Sequence, residues 1–312
     1  MKAKALLLMS GGLDSILAAR ILQNQGVDVT PICFKSYFFD CGAAKKASKQ
    51  LGLKLKEVDF SKEHLSMLKA PQFGRGSAIN PCIDCHLLML KEAKKIMVKE
   101  KYDFVATGEV LGERPMSQNA RSLSLLEKEA GLEGLLLRPL SAKVLDETVP
   151  EKNGLVDREK LEGISGRSRR PQLELARQFG IKEFPTPAGG CILTEKNYST
   201  HLSKLLYFKK EPDDNDCKLI RQGRIFWEGD MFIVIARDEE ECKKLKRSKR
   251  SDDVYLEPKN FTGPSVIVRA LSTETKKSSL DEMISIGKKY LLQFSKTPLE
   301  DPIFTIWPSP KF

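Results

Sequence analysis

The chain has 312 residues, with 52 basic and 42 acidic side chains and a net charge of +10. This length suits two domains, and a hydrophobic content of 41% can fill buried cores. No apolar stretch is long enough to cross a bilayer, which argues against a membrane protein. The basic charge favours polyanionic partners, nucleic acid first among them. Seven cysteines, an odd number, argue against a disulfide framework, and we expect a cytoplasmic protein.

The most informative motif is Met9-Ser10-Gly11-Gly12-Leu13-Asp14-Ser15, which follows an apolar run and precedes a helical pattern. This order predicts a strand, a glycine turn and a helix, and it fits a first strand better than a signal peptide. The two glycines allow a tight turn with exposed N–H groups, and a helix that starts near Asp14 adds its positive dipole end. Ser10 and Ser15 add hydroxyl donors. Together these groups predict a phosphate-binding site.

Strands and helices alternate along the first part of the chain. Strands are predicted at residues 5–8, 27–34, 54–60, 102–109 and 135–143, and helices at 16–22, 43–51 and 87–100. This alternation predicts an α/β fold with a doubly wound parallel sheet. Ligands of such folds bind at the carboxyl ends of the strands. We therefore expect a nucleotide crevice lined by the Ser10–Ser15 loop, Cys33, Phe34, Thr107 and Gly108.

Cations cluster in two loops of this region. Arg138 and Lys143 follow the fifth predicted strand, where they would either neutralise phosphates or lie in a solvated loop. Arg167, Arg169 and Arg170 precede a helix predicted at residues 173–179. Because guanidinium groups bind phosphates in a fixed fork geometry, this second cluster predicts a phosphate clamp.

Three cysteines predict the chemistry of the site. Cys82 and Cys85 form a C-x-x-C pair at a predicted helix start, where the helix dipole stabilises thiolates. Cys191 follows a loop rich in proline and glycine and would join the pair only through folding. Thiolates serve both metal binding and sulfur transfer. A zinc site with His86 as fourth ligand is geometrically awkward, because His86 adjoins Cys85.

The pattern changes near Tyr198, so we predict two domains, residues 1–197 and 198–312. The second domain is predicted as a small basic α+β unit. Its helices are expected at residues 201–208, 239–245 and 281–294, and its strands at 217–220, 224–227, 231–235, 254–258 and 265–269. The charged segment 209–216 reads as a solvated turn. The basic run from Lys246 to Arg250 predicts contact with RNA.

The Ser-Gly-Gly-Leu-Asp-Ser string at Ser10–Ser15 resembles the PP-loop of the ATP pyrophosphatases, which have the adenine nucleotide alpha hydrolase-like fold. The resemblance implies binding of ATP and Mg²⁺, with Asp14 positioning the metal or the pyrophosphate. It also implies that the backbone near Cys33 and Phe34 holds the adenine. Enzymes of this superfamily adenylate a carbonyl oxygen and replace it with nitrogen or sulfur.

Three further resemblances narrow the expectation over residues 1–195. The string Asn80-Pro81-x-x-x-Cys85 is similar to an element of tRNA 2-thiouridylases, with Cys85 at their catalytic cysteine and Cys82 where they carry an aspartate. The C-x-x-C pair with Cys191 resembles iron–sulfur-dependent tRNA thiolation enzymes, which implies a [4Fe–4S] cluster on Cys82, Cys85 and Cys191. The Pro-Ala-Gly-Gly-Cys string that ends at Cys191 resembles tRNA 4-thiouridine synthetases. A persulfide on Cys85, resolved by Cys191, is the alternative to the cluster.

The tail, with Pro258-x-x-Phe261-x-Gly263-Pro264, resembles a small RNA-binding domain of ribosome quality-control factors. The expectation is thus an ATP-dependent tRNA sulfurtransferase with tRNA and a sulfide or persulfide donor as partners. Two alternatives stay open: a PP-loop enzyme that acts on a small molecule, and an RNA-binding protein with an inactive PP-loop domain. The modified position, the sulfur donor and the oligomeric state, with a homodimer among the options, also stay open.

Overall fold

Two compact units make up the chain, Met1–Thr194 and Glu195–Phe312. The structure is a computed structural model that describes residues 2–186, 191–271, 279–296 and 301–308. The boundary predicted from sequence, after residue 197, lies three residues beyond the one observed. No helix in the described ranges is both long and apolar enough to cross a membrane.

The first unit alternates strands with helices. Its strands are β1 (Lys4–Leu8), β2 (Asp28–Lys35), β3 (Lys56–Asp59), β4 (Phe104–Thr107) and β5 (Leu136–Leu137). Its helices are α1 (Leu13–Asn24), α2 (Gly42–Gln50), α3 (Ser61–Lys69), α4 (Cys82–Glu100), α5 (Ala120–Ala130), α6 (Val149–Lys152) and α7 (Arg170–Gln178).

All strand pairs of the first unit are parallel, in the order β3-β2-β1-β4-β5. The chain adds β2 and β3 on one side of β1 and then crosses to add β4 on the other side. The loops after β1 and β4 therefore diverge at the point where the strand order reverses, which is where ligands of such sheets bind. The predicted doubly wound parallel sheet is confirmed.

Alternate residues of β1 supply two hydrophobic cores, one on each face of the sheet. Ala5 and Leu7 pack with α1, α2 and α7, whereas Leu6 packs with α4 and α5. This alternation follows from the two-residue repeat of a strand. Because both faces are covered by helices, the inner residues of β1, β2 and β4 are buried, and the carboxyl edge of the sheet remains for a ligand.

A buried histidine lies at the β3 side of this sheet. His64 of α3 is fully buried, stacks on Phe60 with ring centroids 5.0 Å apart, and also contacts Phe38 and Phe39. Neither ring nitrogen has a hydrogen-bond partner among the described residues. Burial lowers the pKa of His64 to about 4 from 6.5. The folded protein therefore holds this ring in its neutral form at neutral pH.

His64 should make the free energy of unfolding depend on pH in the acid range. The unfolded chain binds a proton at His64 as the pH falls below 6.5, whereas the folded chain binds it only near 4. Stability should therefore fall between these values by up to about 3 kcal/mol. Thermal unfolding from neutral to acid pH measures this loss, and His64→Phe should flatten the profile. Glu63→Gln, an exposed change on the same helix, should leave the slope as it is, and an equally steep profile for His64→Phe would contradict the assignment.

Over its described residues, the second unit contains one antiparallel sheet with four helices. Its strands are β6 (Arg224–Glu228), β7 (Met231–Ile235), β8 (Val254–Pro258), β9 (Val266–Ala270) and β10 (Phe304–Trp307), in the order β10-β8-β9-β7-β6. Its helices are α8 (Lys196–Phe208), α9 (Asp214–Leu219), α10 (Glu239–Ser248) and α11 (Leu280–Gln293). The sheet packs against α11 around Ile233, Leu256 and Leu291. The predicted smaller α+β unit is confirmed.

Several element predictions were wrong. Helix α4 begins at Cys82 rather than at residue 87, and β5 has two residues rather than nine. Residues 217–219, predicted as strand, form the end of α9, because the Asp213 side chain caps that helix and favours the helical turn. Four elements were not predicted at all: α3, α5, α6 and β10.

The charged segment 209–216 is not a solvated turn, because Asp216 is fully buried. Asp216 accepts hydrogen bonds from Lys209 Nζ at 2.7 Å and from Arg269 Nη1 at 2.8 Å. Arg269 also donates two hydrogen bonds of 2.7 Å to Asp253. Burial alone would raise the pKa of Asp216, but the hydrogen bond from Lys209, and next the backbone N–H of Asp213 and the charge of Arg250, lower it. A closed ion network, which we call the Asp216 network, thus lies inside the second unit.

Candidate active site

The Ser10–Ser15 loop is a turn that only glycine permits. Gly11 has φ of 82°, and a Cβ there would lie 2.3 Å from the backbone carbon of Ala43. Gly11 N donates to Ser15 Oγ at 3.1 Å, and Gly12 N donates to Ser10 Oγ at 3.2 Å. Both serine hydroxyls therefore hold the loop in shape. The first turn of α1 follows with Gly12 as N-cap, which leaves backbone N–H groups for an anion.

The end of β4 packs directly on this loop. A Cβ at Gly108 would lie 2.6 Å from both the carbonyl carbon of Asp14 and the nitrogen of Ser15. Thr107 is buried beside it. The predicted proximity of the two strand ends therefore results from backbone contact that a larger residue would prevent.

Cys33 and Phe34 contribute backbone rather than side chains to the crevice. Both side chains are buried, Cys33 with the core under α1 and Phe34 against Phe60, with ring centroids 5.2 Å apart. Burial, and next the contact with Cys41, raises the pKa of the Cys33 thiol well above its usual range. The Cys33 thiol is therefore inert, and any contact with a nucleotide here would come from main-chain groups.

Helix α7 contributes charge to the same loop. Arg169, just before α7, has its Nη2 atom 3.7 Å from Asp14 Oδ2. Burial raises the pKa of Asp14, while Arg169 and then Arg114 act against that rise. Of the three arginines predicted as a phosphate clamp, Arg169 is thus the one that contacts the loop. Arg114 lies on the loop after β4 and had not been singled out from sequence.

The first turn of α4 carries Cys82 and Cys85. Asn80 Nδ2 donates to Cys82 Sγ at 2.9 Å, and Asp84 accepts from Gln72 N at 2.7 Å and Phe73 N at 3.1 Å. The glycine-rich loop 72–77 is therefore anchored to the helix start. Asp84 is buried by this role and acts as a structural side chain.

Cys191 reaches this helix start although it lies far away in sequence. Burial raises the pKa of Cys85 above its usual range, and the next largest contributions are Cys191 and Cys82. The three thiols therefore interact electrostatically. The thiolate expected at the helix start is not present at Cys85, because burial outweighs the helix dipole. Residues 187–190, the rest of the Pro-Ala-Gly-Gly-Cys string, lie outside the described residues.

A buried carboxylate connects the cysteines to the strand ends. Glu109 accepts from His86 Nδ1 at 3.1 Å, from Thr107 Oγ1 at 3.0 Å and from Arg138 Nε at 3.1 Å. Burial alone would raise the pKa of Glu109, but the bond from His86 and the charge of Arg138 lower it to about 2. Since His86 follows Cys85, this Glu109 network holds the thiols near the strand end that contacts Asp14.

Arg138 is therefore neither a phosphate ligand nor part of a solvated loop. It is 4% exposed and is paired with Glu109 and Glu127. Lys143, by contrast, is partly exposed and donates to the backbone oxygen of Glu159. Among the described residues, no group of three or more His, Cys, Asp or Glu side chains is arranged to hold a metal ion.

Comparison with known proteins shows what the first unit resembles. The model of the tRNA methyl transferase HUP domain matches residues 3–149, a little less than half of the chain. We call residues 3–149 the HUP-matched region. The match includes the Ser10–Ser15 loop, the C-x-x-C pair and the Glu109 network, whereas α7 and Cys191 lie beyond it.

Curated relatives match this chain at modest identity. A tRNA-specific 2-thiouridylase from Sulfurimonas denitrificans is 33% identical over 118 residues, 35% of each chain. Another from Legionella pneumophila strain Lens is 26% identical over 231 residues, 67% of this chain and 59% of the relative. A probable tRNA sulfurtransferase from Finegoldia magna is 30% identical over 146 residues, 45% of this chain and 36% of the relative. The chain spans less than two thirds of each.

Solved structures are more distant. A predicted subunit of tRNA methyltransferase from Methanocaldococcus jannaschii gives a TM-score of 0.37 at 16% identity, over 59% of this chain and 81% of that one. A 4-thiouridine synthetase in complex with RNA and ATP gives 0.37 at 22% identity, over 57% of this chain and 52% of that one.

Sequence reasoning named the loop and the cysteines, and also His86 and Arg138, but missed the network that connects them through Glu109. Glu109, Arg138 and His86 form one hydrogen-bonded set across α4, β4 and the loop after β5. The signal available in sequence was Thr107-Gly108-Glu109, a carboxylate directly after a buried strand. An acidic residue at that position is a candidate site residue in any doubly wound sheet.

Proposed function

We propose that this chain is an ATP-dependent tRNA sulfurtransferase. It adenylates a uridine carbonyl oxygen and replaces that oxygen with sulfur handled at Cys82, Cys85 and Cys191. The observation that carries the proposal is the interaction of Cys191 with Cys85, 106 residues away, at a helix start that His86 and Glu109 tie to the strand end beside Asp14. The names of the curated relatives, 2-thiouridylase and sulfurtransferase, support the same reaction class.

The PP-loop would supply the first half of the reaction. Backbone N–H groups at the start of α1 hold the phosphates of ATP, and the main chain near Cys33 and Phe34 holds the adenine. Thr107 and Gly108 close the other side of the crevice, where Gly108 already touches Asp14. The uridine oxygen attacks the α-phosphate, pyrophosphate leaves, and fixed N–H donors stabilise the developing charge. Asp14 would hold Mg²⁺, which would supply further positive charge at this position.

The cysteines would supply the second half. A sulfur nucleophile at the thiol site attacks the activated carbon, and AMP leaves with the former carbonyl oxygen. In the persulfide form, the sulfane sulfur on Cys85 makes this attack, Cys191 then attacks Cys85 Sγ, and the resulting disulfide needs a dithiol reductant. The Glu109 network fixes the start of α4 and so the position of both thiols of the pair.

A [4Fe–4S] cluster is the other form of the thiol site. The donor set fits such a cluster, because thiolates are soft ligands that bind iron. Three interacting thiols would ligate three of its irons and leave the fourth open to sulfide. Cys82, Cys85 and Cys191 would hold it. The raised pKa of Cys85 means that loading such a cluster must displace a proton from a buried thiol.

The second unit would bind the tRNA. Both of its tryptophan rings lie next to a lysine: Lys204 lies 5.2 Å from the Trp227 ring, and Lys249 lies 4.3 Å from the Trp307 ring. Trp307 is 46% exposed and Tyr207 is 81% exposed. Exposed rings beside cations stack on unpaired bases and attract phosphates. Of the predicted basic run, Arg250 is used in the Asp216 network and Lys246 pairs with Glu257, so these two are less available for RNA.

ATP–pyrophosphate exchange with and without tRNA tests the proposal. We expect exchange by the purified protein to depend on added tRNA and Mg²⁺, because the adenylate forms on the RNA. Exchange with a small molecule in place of tRNA would support the small-molecule alternative. Absence of exchange together with intact RNA binding would support an inactive PP-loop domain, and either result would overturn the proposal.

A further inference from the structure

Helix α7 presents a basic face to solvent. Four exposed residues lie on this face at the spacing of successive helical turns, and they line one shallow groove: Arg170, Leu173, Glu174 and Arg177. The opposite face carries Leu175 and Ala176, which pack in the core under the sheet. Because that burial fixes the rotation of α7, the two arginines are held on the outside of the first unit.

The guanidinium groups of this face are unpaired. Neither Arg170 nor Arg177 makes an ion pair or a side-chain hydrogen bond with any residue that the structure describes. Glu174 lies one turn from each arginine, a spacing at which helical ion pairs form, yet it pairs with neither. On α10, by contrast, Lys243 and Lys244 each pair with a glutamate one turn away. The arginines of α7 are therefore available to an anion outside the protein.

Two further arginines extend this face toward the nucleotide crevice. Arg169 has its Nη2 atom 3.7 Å from Asp14 Oδ2, so the basic face begins at the PP-loop. Arg167 precedes it and is exposed. The adjoining Gly166 N donates to Leu111 O at 2.7 Å, which ties this segment to the loop after β4. We call Arg167, Arg169, Arg170 and Arg177 the α7 row.

The spacing of the α7 row suits a polyanion better than a single phosphate. Arg170 and Arg177 are seven residues apart, which is about 10 Å along the helix axis. One phosphate group cannot bridge that distance, whereas a nucleic-acid strand carries a phosphate about every 3.4 Å of its axis. Arginine binds phosphate oxygens through its planar fork. Leu173, 41% exposed between the two arginines, offers an apolar contact to the sugars.

We infer that the α7 row binds the sugar–phosphate backbone of the substrate RNA and leads the strand to the PP-loop. The inference rests on the proposed function, since it takes RNA as the substrate. It adds an RNA-binding surface to the first unit, beyond the HUP-matched region, whereas the proposed function places RNA binding in the second unit. Phosphate contacts position a nucleic acid without reading its sequence, so this binding should not depend on sequence.

Fluorescence anisotropy with labelled, unmodified tRNA measures the affinity of the full chain at several salt concentrations. In Arg170→Gln/Arg177→Gln, the Kd at low salt should rise about tenfold, and the slope of log Kd against log salt should fall by about 1.5, because two phosphate contacts are lost. The unfolding temperature and the Kd for a non-hydrolysable ATP analogue should not change, since both side chains are exposed and Arg169 remains.

Lys99→Gln/Lys128→Gln is the matched control. It removes the same charge from exposed positions of α4 and α5, which pack on the other face of the sheet. Its Kd for tRNA should change by less than about twofold, because screening by salt weakens distant charges. Glu174→Gln tests the same surface by a gain. It removes the carboxylate between the two arginines and should lower the Kd about two- to threefold.

The outcomes separate the inference from the proposed function. If the wild-type protein binds tRNA and both α7 variants bind it with the same affinity and salt dependence, the inference is wrong and the proposed function stands. The α7 row would then serve another anionic partner. If the wild-type protein binds no tRNA, both are overturned. Weaker binding of the ATP analogue by Arg170→Gln/Arg177→Gln, with unchanged binding of tRNA, would assign these arginines to the nucleotide and also overturn the inference.

Discussion

Cys191→Ser should abolish sulfur transfer and leave tRNA-dependent ATP–pyrophosphate exchange intact. The serine hydroxyl keeps the size of the side chain but neither attacks Cys85 Sγ as the resolving thiol does nor binds iron as a thiolate does. The rate of thiouridine formation should fall by more than about a thousandfold, the scale expected when a nucleophile is removed. Exchange reports only the adenylation half of the reaction, so it separates loss of sulfur handling from loss of folding.

Cys242→Ser is the matched control, because Cys242 is a partly buried cysteine of the second unit. It should change neither quantity. Wild-type thiolation by Cys191→Ser would show that Cys191 has no part in sulfur transfer, whatever its proximity to Cys85. Loss of both thiolation and exchange would point to damage of the nucleotide crevice instead.

Arg269→Met should destabilise the second unit by about 3–5 kcal/mol, the usual cost of leaving buried charges unpaired. Arg269 is 2% exposed on its side chain and is the cation that joins Asp216 to Asp253, both fully buried. Removal of Arg269 leaves the carboxylates of Asp216 and Asp253 without the cation that joins them. Lys209 and Arg250 remain to pair with Asp216. Arg269→Lys should recover only part of the loss, since an ammonium group lacks the fork that reaches both partners.

Tryptophan fluorescence during denaturation by urea measures this effect selectively. Both tryptophans of the chain, Trp227 and Trp307, lie in the second unit. Lys243→Met, which breaks an exposed pair with Glu239 on α10, is the control and should leave the midpoint nearly unchanged. A midpoint for Arg269→Met equal to that of the control would mean that the network is not needed for stability.

The sequence predicted the fold best at positions where the backbone accepts only one residue type. Gly11 is such a position, since its positive φ and its contact with Ala43 exclude other residues. The strand–turn–helix order around Gly11 predicted the loop at the end of the first strand. The alternation of strands and helices along the chain predicted the α/β fold with a parallel sheet. Both inferences depend only on residues that are neighbours in sequence, so the sequence pattern alone is enough to make them.

Long-range pairing explains most of what was missed. Glu109 and Arg138 are 29 residues apart, and Asp216 and Arg269 are 53 apart. Each of these side chains looks like an ordinary surface charge in sequence, and only the fold decides that it is buried and paired. Gln172 is a further case, because an amide in a polar helical stretch gives no sign that α7 turns it inward toward Asp14.

Local capping explains the wrong strand at residues 217–220. Its apolar residues suit a buried strand as well as a helix, and periodicity alone does not separate the two over so few residues. Asp213 decides the outcome, because its side chain accepts from the N–H groups of Asn215 and Asp216. The same aspartate also pairs with Arg250, so the cap and the Asp216 network form together.

The central claim, that sulfur is transferred to tRNA at the three-cysteine site, is tested most directly by mass spectrometry of tRNA nucleosides. Unmodified tRNA is incubated with the anaerobically purified protein, Mg²⁺–ATP and sulfide, and is then digested to nucleosides. The account predicts a uridine in which one oxygen is replaced by sulfur, formed by the wild-type protein and by Cys242→Ser. Cys82→Ala, Cys85→Ala and Cys191→Ala should each form none. Full thiolation by these three variants, or none by the wild-type protein with either sulfide or a persulfide donor, would contradict the account.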